Sequence, residues 1–200
     1  MSDPLVFTVG LPDVLLEFFA IQGRYYRLFP FYIRTVENGK IKPEYYRSDS
    51  SATYSYRVAD NLFISPDYEV YMLDRITKQP LRSKTYKYSD LGYYFMKAII
   101  EKQTGKQLED FVQENFYRPM GLSTMTYHPK YRFEKNRITP TENETDIRSQ
   151  LIWGAVHDPG ATMQGGVGGH GGLFTNPLDI GTLMFSLILD GEYGGGKNLG

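Results

Sequence analysis

Three consecutive residues, Tyr88, Ser89 and Asp90, are the ones best suited to chemistry in this sequence. They stand directly before a stretch with helical periodicity, which predicts that Tyr88 lies at the N-terminal end of a helix. A free tyrosine has a pKa of about 10 and is a poor base at neutral pH. A helix dipole and the ammonium groups of Lys84 and Lys87 would lower that pKa by favouring the phenolate. Tyr88 is therefore a candidate for proton transfer; the alternative is a packing role as one of 17 tyrosines.

The helix that would position Tyr88 is predicted to run as far as a glycine at position 105. Its apolar face has residues at i, i+4, i+7 and i+8, namely Leu91, Phe95, Ala98 and Ile99. We predict Ser89 as the N-cap, because a serine hydroxyl accepts a hydrogen bond from a backbone N–H of the first turn. Gly105 is predicted to end the helix in a left-handed conformation.

A second candidate segment is the glycine-rich stretch 165–172, which contains Gly169 and His170. It includes a literal G-x-G-x-x-G pattern from Gly166 to Gly171. A dinucleotide-binding fingerprint leaves a strand and opens directly into a helix, whereas this pattern follows a His-Asp-Pro turn. We therefore reject nucleotide binding. We expect the glycines to allow close backbone approach and positive φ angles beside a site.

The residues His157, Asp158 and His170 are the only set that suggests a metal site. Zinc usually takes three or four ligands with recognisable spacing, and no fourth ligand is apparent. We therefore expect no metal and no cofactor. We predict instead that His157 and Asp158 order a turn, with the imidazole bonded to the backbone.

Four stretches carry a family resemblance. They are YSDLGY at 88–93, IIEKQTG at 99–105, FYRPMGL at 116–122 and GGVGGHGGLF at 165–174. Together they resemble the serine β-lactamase and penicillin-binding-protein-like hydrolases, including the modules found behind family 3 β-N-acetylglucosaminidases. The resemblance implies metal-free acyl transfer in which Tyr88 helps to move protons. It also implies that Asp90, Gly169 and His170 bind substrate.

The same resemblance implies an α+β fold of the β-lactamase/transpeptidase-like type. We expect residues 1–200 to form a single partial domain, dominated by the helical subdomain of that fold. Within it we expect an aromatic-rich insertion at about 13–80 and a family-like core segment at 84–200.

Two motifs of the family are absent from these 200 residues. No lysine has a serine three positions before it, so there is no Ser-x-x-Lys pair, and neither Lys-Thr-Gly nor His-Thr-Gly occurs. Asp90 also departs from the usual Tyr-x-Asn, because a carboxylate cannot donate the amide hydrogen bonds of asparagine. We therefore interpret the chain as an internal fragment whose missing flanking segments are its partners, and we expect it to be inactive alone.

The expected substrates of the parent protein are peptidoglycan-type D-amino-acid peptides or esters, which implies a periplasmic or otherwise exported location in a bacterium. The alternative is a non-catalytic module that binds cell-wall sugars or peptides through the aromatic insertion. A net charge of −1, with acidic and basic residues interspersed, gives no reason to expect nucleic-acid binding. No apolar run is long enough for a membrane span.

The remaining elements are predicted from periodicity. Residues 41–77 are expected to be a loop-rich insertion with short helical pieces. Residues 107–115 are expected to form a helix, 123–128 a short strand and 130–148 an exposed polar segment. A last helix should follow Asn176 as N-cap and Pro177 at its first position. Its predicted buried face comprises Ile180, Leu183, Met184, Leu187 and Ile188.

Overall fold

The computed structural model describes residues 36–37, 40–41, 44–78, 88–145, 148–194 and 196–197. Lys84 and Lys87 lie outside the described residues, so their predicted proximity to Tyr88 remains a prediction.

The first half of the described chain is more regular than the predicted loop-rich segment. The strands are β1 (Val36–Glu37), β2 (Lys40–Ile41), β3 (Tyr46–Arg47), β4 (Tyr56–Ala59) and β5 (Leu62–Ile64). Strands β1 and β2 pair with each other, and β3, β5 and β4 form an antiparallel sheet in that order. Asn61 makes the turn between β4 and β5 at φ 51°, a left-handed conformation that asparagine tolerates. The loop-rich prediction is therefore wrong for this segment.

Helix α1 (Asp67–Thr77) covers this sheet and shares its core. The core contains aromatic and aliphatic side chains from the sheet, from α1 and from later elements: Tyr46, Val58, Ile64, Tyr68, Met72, Tyr94 and Met163. The Tyr68 ring contacts Tyr45 edge-on and Tyr71 in a tilted arrangement, with ring centroids 5.2 and 5.8 Å apart. The aromatic residues of this segment therefore contribute to a core that they share with Tyr94 and Met163.

Helix α2 (Leu91–Thr104) is the predicted central helix. It ends as predicted, because Gly105 has φ 68° and its N–H donates to the Glu101 carbonyl at 2.9 Å. Asp90 directly precedes the helix but its side chain caps no N–H there, whereas the Ser89 hydroxyl accepts from Leu91 N at 3.4 Å, the bond predicted for a capping serine. One detail of the prediction is wrong, because Ile99 is 49% exposed. The buried face is centred on Tyr94 and Lys97 instead, because Lys97 forms an ion pair with α1.

The predicted second helix is present as α3 (Leu108–Val112), which continues in a π-helical turn at Gln113–Tyr117. Two short 3-10 helices follow, at Pro129–Tyr131 and Lys135–Arg137. A second core forms beside α3 from Tyr117, Met120, Leu122 and Met125. The predicted strand at 123–128 is reduced to a single antiparallel bridge between Thr126 and Phe174.

The segment predicted to be exposed instead forms part of an antiparallel hairpin, β6 (Pro140–Glu144) with β7 (Gln150–Trp153). Arg148, in the connection, is 6% exposed and pairs with Glu144. Arg148 also donates to the carbonyls of Val156 and His157, both at 2.8 Å. Most of the described residues from 130 to 148 are exposed or half-buried, as predicted. The prediction is wrong for Ile138 and Arg148, which are buried, and the Arg148 guanidinium binds several backbone carbonyls in the interior.

The chain continues through α4 (Pro159–Met163), α5 (Pro177–Ile188) and the paired strands β8 (Glu192–Tyr193) and β9 (Gly196–Lys197). Asn176 caps α5 as predicted, accepting from Asp179 N at 2.8 Å. The predicted buried face of α5 is wrong for Met184, Leu187 and Ile188, which are at least 47% exposed. None of the helices in the described part of the chain is both long and apolar enough to cross a membrane.

Candidate active site

Tyr88 lies immediately before α2 and is half-buried. Its hydroxyl donates a hydrogen bond to Asp90 Oδ1 at 3.0 Å. The Asp90 carbonyl accepts from Tyr93 N at 2.9 Å, so Asp90 belongs to the first turn and also holds the tyrosine. Ser89 is exposed, and its hydroxyl oxygen accepts from Leu91 N at 3.4 Å. The Tyr88 side chain is thus held at the start of α2 by Asp90, which stands where the Tyr-x-Asn motif has asparagine.

The glycine-rich stretch 165–172 packs on this same turn. A Cβ added to Gly169 would lie 2.7 Å from the Tyr93 carbonyl oxygen, so the two backbones meet closely. Next to this contact, the rings of His170 and Tyr94 stack with centroids 4.7 Å apart and an interplanar angle of 29°. Two segments about 75 residues apart in sequence therefore meet at one point.

The His170 side chain is buried and bonded to Asp158. Its Nε2 lies 2.9 Å from Asp158 Oδ1, and only 5% of the side chain is exposed. Asp158 also accepts from Ala161 N at 2.7 Å and so caps α4. Burial opposes ionisation of Asp158, but the hydrogen bond and charge of His170 and the Ala161 N–H outweigh it. They hold the pKa of Asp158 below its ordinary value.

The predicted turn at His157 and Asp158 is instead the start of a helix. Asp158 provides the side-chain cap, and the carbonyl of His157 is bonded by Arg148. The His157 imidazole does not make the predicted backbone bond through Nδ1, which is buried without a hydrogen-bond partner among the described residues. The cap function was missed because His-Asp-Pro-Gly reads as a turn, although aspartate before proline also begins helices.

Tyr94 is a buried neighbour that the sequence did not single out. It is fully buried, and burial raises the pKa of its hydroxyl, with the negative charges of Asp158 and Asp90 adding to the effect. Gly160 lies against it so closely that an added Cβ would be 2.0 Å from the Tyr94 hydroxyl oxygen. Tyr94 is therefore a neutral packing element, in contrast to half-buried Tyr88.

An ion pair lies beneath the start of the glycine-rich stretch. Lys97 Nζ contacts both carboxylate oxygens of Glu69 at 2.8 and 2.9 Å and the Gln164 carbonyl at 3.5 Å. Burial raises the pKa of Glu69, and the charge of Lys97 opposes that rise. Near it, the Tyr56 ring packs on Gly165, and burial together with the charge of Glu69 raises the pKa of Tyr56 to about 12.

A cleft of about 490 Å³ lies beside Tyr127, and its lining residues include Glu109, Tyr117 and Arg132. The Tyr127 hydroxyl donates to the Gly168 carbonyl at 3.2 Å and so connects this cleft to the glycine-rich stretch. Tyr88 does not line it. No group of three or more metal-binding side chains is found among the described residues.

The chain that carries this site matches a known family. A profile of the Beta-lactamase family matches residues 49–199, and the chain is therefore a member of the β-lactamase family. Family membership confirms the predicted relationship to penicillin-binding-protein-like serine hydrolases and the α+β, β-lactamase/transpeptidase-like fold.

The chain is similar to curated proteins described as "Putative D-alanyl-D-alanine carboxypeptidase". The relative from Escherichia coli (strain K12) is 37% identical over 137 residues, which are 61% of this chain and 32% of that protein. The relative from Salmonella agona (strain SL483) is 36% identical over 140 residues, 62% of this chain and 32% of the relative. The chain thus spans about a third of the length of these relatives.

Two solved structures are also similar to it. The D-amino acid amidase from Ochrobactrum anthropi SV3 is 21% identical, with 60% of this chain and 32% of the amidase covered and a TM-score of 0.42. The octameric penicillin-binding protein homologue from Pyrococcus abyssi is 18% identical, with 64% and 27% covered and a TM-score of 0.46.

Proposed function

We propose that this chain is part of a serine hydrolase that acts by acyl transfer on peptidoglycan-type D-amino-acid peptides or esters. The observation that carries the proposal is the Tyr88 hydroxyl, held by Asp90 at the start of α2 with the glycine-rich stretch on the same turn. The description of the curated relatives as D-alanyl-D-alanine carboxypeptidases supports this substrate class.

The proposed chemistry is two-step acyl transfer. A serine oxygen attacks the substrate carbonyl, the bond to the leaving amine or alcohol breaks, and the leaving group takes up a proton. Water then attacks the acyl-enzyme, which releases the acid and restores the serine. Tyr88 passes protons in both steps together with a lysine. Its hydrogen bond to Asp90 gives it a second group through which a proton can move.

The serine and lysine of this mechanism are not supplied as a Ser-x-x-Lys pair by these 200 residues. We therefore propose that the chain acts only together with further segments of its protein, which also complete the binding site. An exported, cell-envelope location is part of the proposal, because that is where peptidoglycan-type substrates occur.

The binding-module alternative has less support. It needs exposed rings in the aromatic-rich segment; Tyr46 and Tyr68 are at most 4% exposed and belong to the core, and Tyr71 is 37% exposed. The structure offers no observation that favours sugar or peptide binding at Tyr46 or Tyr68.

The test is release of D-alanine from a D-alanyl-D-alanine peptide by the full-length protein. Loss of general acid–base catalysis typically costs about 10²- to 10⁴-fold in rate, so Tyr88→Phe should lower kcat by about 100-fold or more. Tyr193→Phe, at a 38% exposed tyrosine of β8 that does not line the cleft, serves as the control and should keep wild-type activity. Wild-type kcat in Tyr88→Phe would refute the proposed role.

A further inference from the structure

His170 is placed where it cannot contact a substrate while its observed interactions persist. Its ring is 5% exposed, stacked on Tyr94 and bonded through Nε2 to Asp158. Gly168 fits against the ring so closely that an added Cβ would lie 2.9 Å from Cε1. The protein therefore surrounds this imidazole on several sides, and a function for it must act through its neighbours.

One neighbour, Asp158, is fixed independently of His170. Its carboxylate accepts from Ala161 N and caps α4. The backbone on its N-terminal side is held by Arg148, which donates to the carbonyls of Val156 and His157. Arg148 is itself buried and paired with Glu144. Asp158 is thus a rigid acceptor to which His170 attaches the glycine-rich stretch.

The other neighbour, Tyr94, belongs to the first turn of α2. The preceding residue, Tyr93, donates its N–H to the Asp90 carbonyl, and the Asp90 carboxylate holds the Tyr88 hydroxyl. Asp158 therefore holds His170 in place, and His170 holds Tyr94. The first turn of α2, to which Tyr94 belongs, in turn holds Tyr88.

We infer that His170 is a positioning residue: bonded to Asp158 and stacked on Tyr94, it holds the Tyr88–Asp90 turn against the glycine-rich stretch. This inference deepens the proposed function and rests on it only for the claim that Tyr88 takes part in the reaction. The positioning itself is a property of the folded chain and can be measured without any substrate.

The first test is amide hydrogen exchange in the 200-residue chain. His170→Phe keeps a ring but removes the N–H that bonds Asp158, whereas His170→Gln restores an N–H donor near the Nε2 position. Losing one buried hydrogen bond should speed exchange at Tyr93 N by about ten-fold in His170→Phe. Exchange at Gly105 N, at the opposite end of α2, should stay within about two-fold. His170→Gln should restore most of the protection at Tyr93.

Two outcomes would overturn the inference. One is equal loss of protection at Tyr93 and Gly105, which indicates general destabilisation, and the other is no change at Tyr93. If the variants fold poorly, ¹⁵N spectra of the wild-type imidazole decide, because the inference requires a protonated Nε2 bonded to Asp158. An unprotonated Nε2 at neutral pH would contradict it.

The second test uses the full-length protein and separates kcat from KM. His170→Phe should lower kcat by about 10-fold while KM changes by less than about two-fold, because a positioning residue does not bind substrate. Ser186→Ala, which removes a buried hydrogen bond in α5, is the control for simple destabilisation and should leave kcat unchanged. A His170→Phe variant with raised KM and normal kcat would contradict positioning. If the wild-type protein does not turn over the peptide, the proposed function fails and the exchange result still stands.

Discussion

At the scale of single residues, the site depends on very close contacts between glycines and aromatic rings. Gly160 is the clearest case, because an added Cβ would lie 2.0 Å from the hydroxyl oxygen of fully buried Tyr94. A methyl group there has to displace the ring that stacks on His170. No sequence pattern indicates this contact, because Gly160 and Tyr94 are 66 residues apart.

We therefore expect Gly160→Ala to destabilise the chain by about 1–3 kcal/mol, as is typical of overpacking in a core. Gly181→Ala is the matched control. Gly181 is an interior helix position with no atom within 4 Å of the added Cβ, so alanine should be neutral or stabilise by about 0.5–1 kcal/mol. Urea unfolding followed by circular dichroism measures both, and equal effects of the two substitutions would contradict the contact.

Asp158 gives a prediction about pH at the same scale. Its pKa in the folded chain is below the ordinary value of 3.8. A carboxyl group with a lowered pKa contributes stability above that ordinary value and loses the contribution as pH falls through the folded-state pKa. The interaction of Asp158 with His170 should therefore weaken in acid and be complete at neutral pH.

Asp158→Asn isolates this effect, because asparagine is as good an N-cap as aspartate but carries no charge. We expect the free energy of unfolding to fall less steeply between about pH 5 and about pH 3 in Asp158→Asn than in the wild type. Urea titrations across that range provide the slopes. Parallel slopes for the two proteins would show that the carboxylate is not stabilised in the folded state.

At the scale of elements, α1 and α2 are joined by the buried pair Glu69 and Lys97. Breaking a buried ion pair by removing one partner leaves an unpaired charge and typically costs about 3–5 kcal/mol. Lys97→Leu should therefore destabilise the chain strongly. Replacing both residues by leucine should recover most of the loss, because the double variant buries no unpaired charge from this pair. Additive effects in a double-mutant cycle, measured by urea unfolding, would contradict this coupling.

The same pair shows why periodicity predicted the helix but not its buried face. Hydrophobic spacing identified α2 and its end at Gly105, but Ile99 is exposed and Lys97 is buried, because the partner Glu69 lies on another element. In α5 the cap at Asn176 was predicted correctly. The helix is apolar on several sides, so its sequence does not specify which side is covered.

For the site, too, local sequence patterns predicted some features, whereas contacts between distant residues were not predicted. The position of Tyr88 before a helix and the close backbone approach of the glycine-rich stretch were predicted from local sequence patterns. The contacts of Asp158, Tyr94 and Arg148 did not, since each joins residues of different elements through side-chain geometry. A buried cation has no periodic pattern by which a single sequence would reveal it, and Asp158 before Pro159 fits a turn as well as a helix cap.

At the scale of the whole molecule, the chain covers about a third of the length of its curated relatives and contains no Ser-x-x-Lys. Acyl transfer needs a nucleophile activated by a positioned base. We therefore expect the 200-residue chain, incubated with a fluorescent penicillin and with a fluorophosphonate probe, to show no added mass in intact mass spectrometry. Stoichiometric labelling of any serine would contradict the assignment of the nucleophile to another segment.

The role of Tyr88 in proton transfer is tested by the rate of acyl-enzyme formation in the full-length protein. Intact mass spectrometry after rapid mixing with a D-alanyl-D-alanine peptide or its ester follows the acylated species over time in the wild type and in Tyr88→Phe. If Tyr88 moves the proton during acylation, the variant should acylate at least about 100-fold more slowly at saturating substrate. Equal acylation rates in the two proteins would contradict the assignment of Tyr88 as the proton-transfer residue.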